Sequence, residues 1–330
     1  MKRLRNCLVV FACFVVLGCS IHDRKITDET CKITAQQIQE EPPWRDAETL
    51  FPGIKIIKLE KTEPRLMKIH IARIDLKDGR YGFFTTPRPA EWGQNMPEEN
   101  AKDLIIVTRR QSAKSFMKQA HQPKTEGGYD VNMLVAVNAS PWIPWKEPWN
   151  HKFACHMGLT IAQGDILDTN DLGRPSFIVY KNGAVDFRTN KNKASIKNED
   201  LYISVPGFAV ILDNGEVTPG AAGDKGIHPR TGYGLSQDRR YLYFIVVDGR
   251  QKDYSVGATT GEIAELLKEY GASDALNMDG GGSTTLAVWN PQKSDKDGNT
   301  PDPVKIYTHQ EGGWLRANAN NLGICLKKEK

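Results

Sequence analysis

The stretch that most constrains this chain runs from Ala275 to Val288, Ala-Leu-Asn-Met-Asp-Gly-Gly-Gly-Ser-Thr-Thr-Leu-Ala-Val. A short apolar run ends on Asp279, three glycines follow, and Ser283, Thr284 and Thr285 lead into a second apolar run, so the pattern predicts strand, tight loop, strand. Glycines at 280, 281 and 282 allow positive φ angles and let a ligand reach main-chain N–H groups. With a carboxylate on one rim and hydroxyls on the other, such a loop suits a phosphate or a cluster of sugar hydroxyls. Alone, the same triplet reads as an ordinary glycine-rich hairpin. Its neighbours decide between the two.

Upstream, Tyr241 to Val247 is an apolar, β-branched and aromatic run that reads as a buried strand, and it too ends in Asp-Gly, at Asp248 and Gly249. Between the strands, Thr259 and Glu262 have capping-box spacing, Ile263, Leu266, Leu267 and Tyr270 share a helical face, and Gly271 supplies the C-cap. Strand, helix and strand in this order predict a βαβ unit with parallel strands. Their C-terminal ends bring Asp248, Arg250, Asp279 and the glycine loop to one rim, where ligands of open α/β sheets bind.

Short β-runs at 54–59, 68–76 and 81–86, separated by Pro or Asp-Gly turns, predict an antiparallel meander. A helix is expected ahead of Gly127-Gly128, then a buried strand over 131–137 that delivers Asn138. Asn182-Gly183 and Asn214-Gly215 read as type I′ hairpin turns. The predicted fold is α+β: a single domain with a mixed β-sheet, an antiparallel meander plus the βαβ unit that carries the site. Prolines at 141, 144 and 148 keep the segment with Trp142, Trp145 and Trp149 irregular. Those rings are either stacking platforms for sugars or pins into the core.

The N-terminus has a basic start followed by an apolar run of 11 residues, Cys7 to Leu17, too short for a permanent membrane span. Residues 1–18 therefore read as a signal peptide, and Val16-Leu-Gly-Cys19 resembles a lipobox, with the lipid carried by Cys19. Plain secretion is the alternative. Residues 19–45 are polar and read as a tether, residues 46–330 as the enzyme domain. The expected location is the bacterial cell envelope, exported and lipid-anchored, most simply at the outer membrane or cell surface. Cys31, Cys155 and Cys325 then remain; they allow one disulfide but form no disulfide framework, and no Cys-x-x-Cys is present. A net charge of +4 over 330 residues is not a nucleic-acid footprint.

Four ordered motifs, His228-Pro-Arg-Thr-Gly-Tyr-Gly, Val247-Asp-Gly-Arg, Asn277-Met-Asp-Gly-Gly-Gly-Ser-Thr-Thr and Arg316-Ala-Asn-Ala-Asn320-Asn-Leu, resemble those of the phosphodiester glycosidase family. The likeness is strongest over residues 205–326, and upstream it extends to the position of Asn138. It implies cleavage of the sugar C1–O bond in a sugar-1-phosphate diester, of the N-acetylglucosamine-1-phosphodiester kind, to free sugar and phosphomonoester.

The physical chemistry agrees with that implication. A phosphomonoester leaves as an anion whose second ionisation lies at about pH 6, so it needs little protonation and the barrier is mostly charge separation. That asks for cations and N–H groups around the phosphate and a carboxylate near the oxocarbenium-like ring. Asp279, Asp248, His228 and Glu262 are the catalytic candidates, although the capping box alone accounts for Glu262. Arg230, Thr231, Arg250, Asn277, Gly280, Gly281, Gly282, Ser283, Thr284, Asn138, Arg316 and Asn320 are the substrate-binding candidates. Arg230 and Arg250 are favoured for the phosphate because a planar guanidinium matches it bidentately.

No cofactor is expected, with a divalent cation at Asp248 or Asp279 left open. Asp295, Asp297 and Asn299 imitate a calcium loop, but its twelfth position is Ile306 where Glu is needed, so a solvated hairpin tip is expected. Two rival readings stand beside hydrolysis at C1: a P–O phosphodiesterase on the same substrates, and a surface glycan-binding lipoprotein without turnover.

Overall fold

The computed structural model describes residues 43–145, 151–290 and 302–328. The signal peptide, Cys19, Cys31, Trp149 and the Asp295–Asn299 motif lie outside the described residues. Trp44, assigned to the tether, is buried at 3% exposure, and its indole N–H donates to Tyr270 O at 2.9 Å.

The largest sheet has eight strands in the spatial order Glu48–Phe51, Ile54–Lys61, Met67–Asp75, Tyr241–Val247, Arg230–Leu235, Asp274–Asn277, Ala209–Asp213 and Glu216–Val217. The first three are the expected meander. Among the described strands every pairing is antiparallel, so the expected mixed sheet is corrected.

The βαβ unit is also modified: Arg230–Leu235 lies between Tyr241–Val247 and Asp274–Asn277 and pairs antiparallel with both. Two reversals restore the direction. The outer two strands therefore run the same way without touching, and their C-terminal ends share an edge, as the sequence suggested. The inserted strand is glycine-bearing for a packing reason. A Cβ on Gly232 would sit 2.9 Å from Ile245 Cγ2 and 3.3 Å from Ile263 Cδ1, so its absence lets helix Thr260–Glu269 lie close on the sheet.

Period-two alternation distributes the apolar side chains over two faces. Ile69, Ile71, Ile245 and Val247 pack against Ile263, Ala264, Leu266 and Leu267 of that helix. Ala72, Ile74, Phe244 and Val246 face the other way, onto Val135, Val137, Leu286 and Leu322 of a five-stranded sheet. That sheet is ordered Val304–Ile306, Leu286–Trp289, Met133–Asn138, Asn321–Leu326, Tyr81–Thr85. Its outer face carries helix Ala113–Ala120 through Phe116 and Met117. The layers are thus helix, sheet, sheet, helix.

A second five-stranded sheet, built on Leu201–Pro206 and Ser176–Tyr180, adds Phe177, Val179, Ile203 and Val205 to the same core. Three short strands, Thr108–Arg109, Trp142–Ile143 and Phe153–His156, form a small sheet of their own. Cys155 and Cys325 are free thiols.

The glycine stretch is not a hairpin. Asp274–Asn277 belongs to the eight-stranded sheet and Leu286–Trp289 to the five-stranded one, so the loop passes from one sheet to the other. Asn214 and Gly215 have φ of 51° and 79°, as a type I′ turn requires. At Asn182-Gly183 only the glycine is left-handed, at 89°, so this turn is of the longer, bulged kind.

Candidate active site

The edge where Tyr241–Val247 and Asp274–Asn277 end is also where Arg230–Leu235 begins, and Asn138 brings the second sheet to it. Asn138 Nδ2 donates to Asp279 O at 2.6 Å, and its Oδ1 accepts from Thr231 Oγ1 at 2.8 Å and from Thr285 N at 3.0 Å. Its own carbonyl accepts from the Tyr233 hydroxyl at 2.8 Å. Asn138 and Thr231, expected on the substrate, are fully buried braces that hold both ends of the glycine loop. Asn320 is similar: its Oδ1 accepts the Ser140 N–H at 2.8 Å.

Within the loop, Asp279 N–H donates to Ala139 O at 3.0 Å and Gly281 N–H to Pro229 O at 2.9 Å. One of the three glycine N–H groups expected at the phosphate is therefore engaged by the protein. Gly282 N–H has no protein acceptor among the described contacts. The need for glycine is visible in what a Cβ would meet. At Gly281, whose φ is +60°, it would lie 3.2 Å from Arg250 Nη2, and at Gly282 it would lie 2.6 Å from Arg316 Nη2. Two guanidiniums rest on the bare loop.

The arginines divide differently from expectation. Arg230 donates Nη2 to Asp224 Oδ2 at 2.8 Å and to Gly226 O, and Nε to Ala258 O at 3.0 Å, so it anchors the entry to its strand. Among the described residues Arg250 has only a loose ion pair, Nη1 to Glu311 Oε2 at 3.9 Å. Arg316 lies over the Trp145 ring at 4.9 Å, and its Nη1 is buried without a hydrogen-bond partner.

A fourth cation, Arg110, escaped the sequence reading, where it is one of two adjacent arginines between short elements. It stacks over Trp142 at 4.0 Å and donates to Ala317 O and His151 O at 3.0 and 2.6 Å. Burial lowers its pKa to about 10, and Arg316 pushes the same way while Asp279 opposes. The aromatic loop splits between the two expectations: Trp142 is a core pin at 1% exposure, and Trp145, stacked on it at 5.5 Å, is 47% exposed.

Burial pushes the Asp279 carboxyl up to about 6, against Ser283, Arg316, the Gly280 N–H and Trp142. The Ser283 hydroxyl and Trp142 indole oppose the shift without closing a hydrogen bond of ordinary geometry. Asp279 Oδ2, Ser283 Oγ, Thr284 Oγ1, Asn277 Oδ1, Ser140 Oγ, Trp142 Nε1 and Arg316 Nη1 are all buried without a protein partner. Native interiors rarely leave such atoms unpaired, and their gathering in and around one loop marks a place for a polar ligand.

Asp248 Oδ1 accepts the His309 N–H at 3.0 Å and Oδ2 accepts the Tyr254 hydroxyl at 3.3 Å; burial outweighs both and pushes it up to about 7. Its crevice is shared with Gly281, Gly282, Thr284 and Glu311. Among the described residues no three His, Cys, Asp or Glu side chains gather as a metal site. Asp248 accepts two hydrogen bonds and Asp279 faces the Arg316 guanidinium.

His228 is exposed, its main chain bridges Ala258 at 3.2 and 3.0 Å, and partial burial with Arg230 and Arg250 nearby lowers its pKa. Glu262 fills the capping-box role that the sequence offered for it. It accepts the Thr259 N–H at 2.8 Å, completes the capping box and pairs with Arg65, and no described contact joins it to the loop.

The family model described as phosphodiester glycosidase matches residues 126–324, more than half of the chain. The catalytic domain of zebrafish N-acetylglucosamine-1-phosphodiester alpha-N-acetylglucosaminidase, auto-inhibited by its pro-peptide, superposes with a TM-score of 0.56 at 18% identity, covering 86% of each chain. A hypothetical protein from Synechocystis superposes with a TM-score of 0.52 at 12% identity, covering 84% of this chain and 62% of its own. At these identities the likeness is one of fold. No curated protein matches the sequence.

Proposed function

The chain belongs to the phosphodiester glycosidase family, and from that premise we propose that it hydrolyses the sugar C1–O bond of a sugar-1-phosphate diester, releasing free sugar and a phosphomonoester. The observation that carries this is the pairing, across one glycine loop, of two buried carboxylates raised to about 6 and about 7 with two guanidiniums that no protein acceptor holds closely. In this reading Arg250, Arg316 and the Gly282 N–H take the phosphate, whose charge grows as the glycosidic bond breaks, so they act more strongly on the transition state than on the substrate. Asp279, ionised, faces the ring as its positive charge develops. Asp248, protonated, completes the acid–base pair. The zebrafish enzyme's name supports an N-acetylglucosamine-type sugar as the first substrate to try.

Hydrolysis in heavy-oxygen water tests the bond assignment. Label in the sugar agrees with C1–O cleavage; label in the phosphate, with sugar-1-phosphate as product, replaces it by a P–O phosphodiesterase. Asp279→Asn should lower turnover by orders of magnitude with the fold intact. Normal sugar binding by a wild-type protein that turns over no such diester would instead favour a glycan-binding lipoprotein.

We also propose that the enzyme is exported and lipid-anchored through Cys19. Cys19→Ser should leave an unprocessed precursor or a soluble exported form, and unchanged membrane partitioning with a mature N-terminus elsewhere would reject the anchor.

A further inference from the structure

We propose that Glu311 sets the charge the site accepts, admitting a singly charged phosphodiester and disfavouring the doubly charged phosphomonoester that the reaction releases. The inference rests on the reading of Arg250 and Arg316 as the phosphate ligands. Glu311 Oε2 lies 3.9 Å from Arg250 Nη1, and its charge also favours the protonated Arg316 guanidinium. It faces the same crevice as Asp248, Gly281 and Gly282. An acid is thus placed against both cations that the phosphate would use.

Its position is imposed by its neighbours. His309 N–H is held by Asp248 Oδ1 at 3.0 Å, and the buried Gln310 donates Nε2 to Thr284 O at 2.8 Å and to Thr285 Oγ1 at 3.1 Å. The segment is therefore strapped to the glycine loop immediately before Glu311. Gly312 and Gly313, with φ of 76° and 74°, then turn the chain toward Arg316. The carboxylate itself is half open, with 56% of the side chain exposed, and among the described residues its one ion pair is the loose one with Arg250. It is held at the site by the backbone, and the fold does not depend on its charge.

The charge count gives the consequence. Arg250 and Arg316 contribute two positive charges; Glu311 and, when ionised, Asp279 and Asp248 contribute the negative ones. A diester brings one negative charge, whereas a monoester well above its second ionisation brings two. The repulsion from Glu311 is proportional to ligand charge, so it acts on the product twice as strongly as on the substrate. Discrimination comes from a repulsive element placed beside attractive ones, and the same element speeds release of the phosphomonoester.

Dimethyl phosphate and methyl phosphate, titrated calorimetrically into the full chain at low salt and about pH 8, test this without turnover, since methyl phosphate is then a dianion. Glu311→Gln should bind methyl phosphate several-fold more tightly, and dimethyl phosphate more tightly by about the square root of that factor. Raising the salt should shrink both changes, because the carboxylate is exposed. Equal factors for the two ligands, or no change in either, would overturn the role of Glu311. Arg250→Met and Arg316→Met separate this from the underlying reading. If they abolish binding of both ligands while Glu311→Gln changes neither, only the Glu311 role is wrong; if they leave both affinities intact, the phosphate assignment fails as well.

Discussion

Asn138 Nδ2 lies 2.6 Å from the main-chain carbonyl of Asp279, so the last residue of a strand in one sheet holds the carboxylate-bearing residue that leaves the other. The same amide oxygen takes the Thr285 N–H at the far end of the glycine loop. The shape of the loop is thereby a property of how the two sheets are docked.

Asn138→Ala leaves the Asp279 carbonyl, the Thr231 hydroxyl and the Thr285 N–H without their partner in a fully buried place. The expected cost is about 2–4 kcal/mol of stability, read from the denaturant midpoint at unchanged slope, together with loss of activity. An unaltered midpoint would show that the loop keeps its shape without the brace.

Gly282→Ala puts a methyl group 2.6 Å from Arg316 Nη2, which must move because the backbone cannot. Since the displaced group is the end of a flexible side chain, stability should change by less than about 1 kcal/mol. Hydrolysis should nonetheless fall roughly tenfold or more, as expected for a misplaced transition-state ligand. Full activity in this variant would remove Arg316 from the phosphate site.

The three arginines should separate by assay. Arg250→Lys and Arg316→Lys keep the charge and lose the fork, so kcat and kcat/KM for the phosphodiester should fall together while an aryl glycoside of the same sugar is little affected. Arg230→Lys breaks contacts to Asp224, Gly226 and Ala258, and its main effect should appear in thermal unfolding. An aryl glycoside impaired as much as the diester would assign Arg250 and Arg316 to the sugar or to the loop.

The two buried carboxylates define a pH window. Asp279 is ionised above about 6 and Asp248 is protonated below about 7, so kcat/KM should be bell-shaped with its maximum between these values. Asp248→Asn should flatten the alkaline limb.

Stability should move in one direction across the same range. Both carboxyls bind protons more tightly folded than unfolded, so between about pH 4 and about pH 7 the native state holds more protons, and stability from these groups falls as pH rises. A melting temperature that falls from pH 5 to pH 8 in the wild type, and falls by less after Asp248→Asn and Asp279→Asn, would isolate their contribution; equal slopes would show that these carboxyls do not carry it.

Local patterns were legible in the chain because each depends on a few consecutive residues. The apolar run before Asp248, the capping box at Thr259 and Glu262, the left-handed pair Asn214-Gly215 and the glycine loop after Asp279 follow from side-chain period and backbone freedom alone. The ordered motifs from His228 to Asn320 named the family for the same reason.

Partnership across the fold was not legible. Nothing adjacent to Arg230 announces that Asp224 and Ala258 will hold it, and nothing around Arg110 places it over Trp142. The strand inserted between Tyr241–Val247 and Asp274–Asn277 precedes both in the chain, so order along the sequence concealed order across the sheet. Sequence alone determined which groups can carry charge and where the backbone can turn. The tertiary structure decided which of those charges are neutralised, because pairing depends on separations in space that only the docking of the sheets sets, and burial, which raises Asp248 and Asp279, is a property of the packed whole.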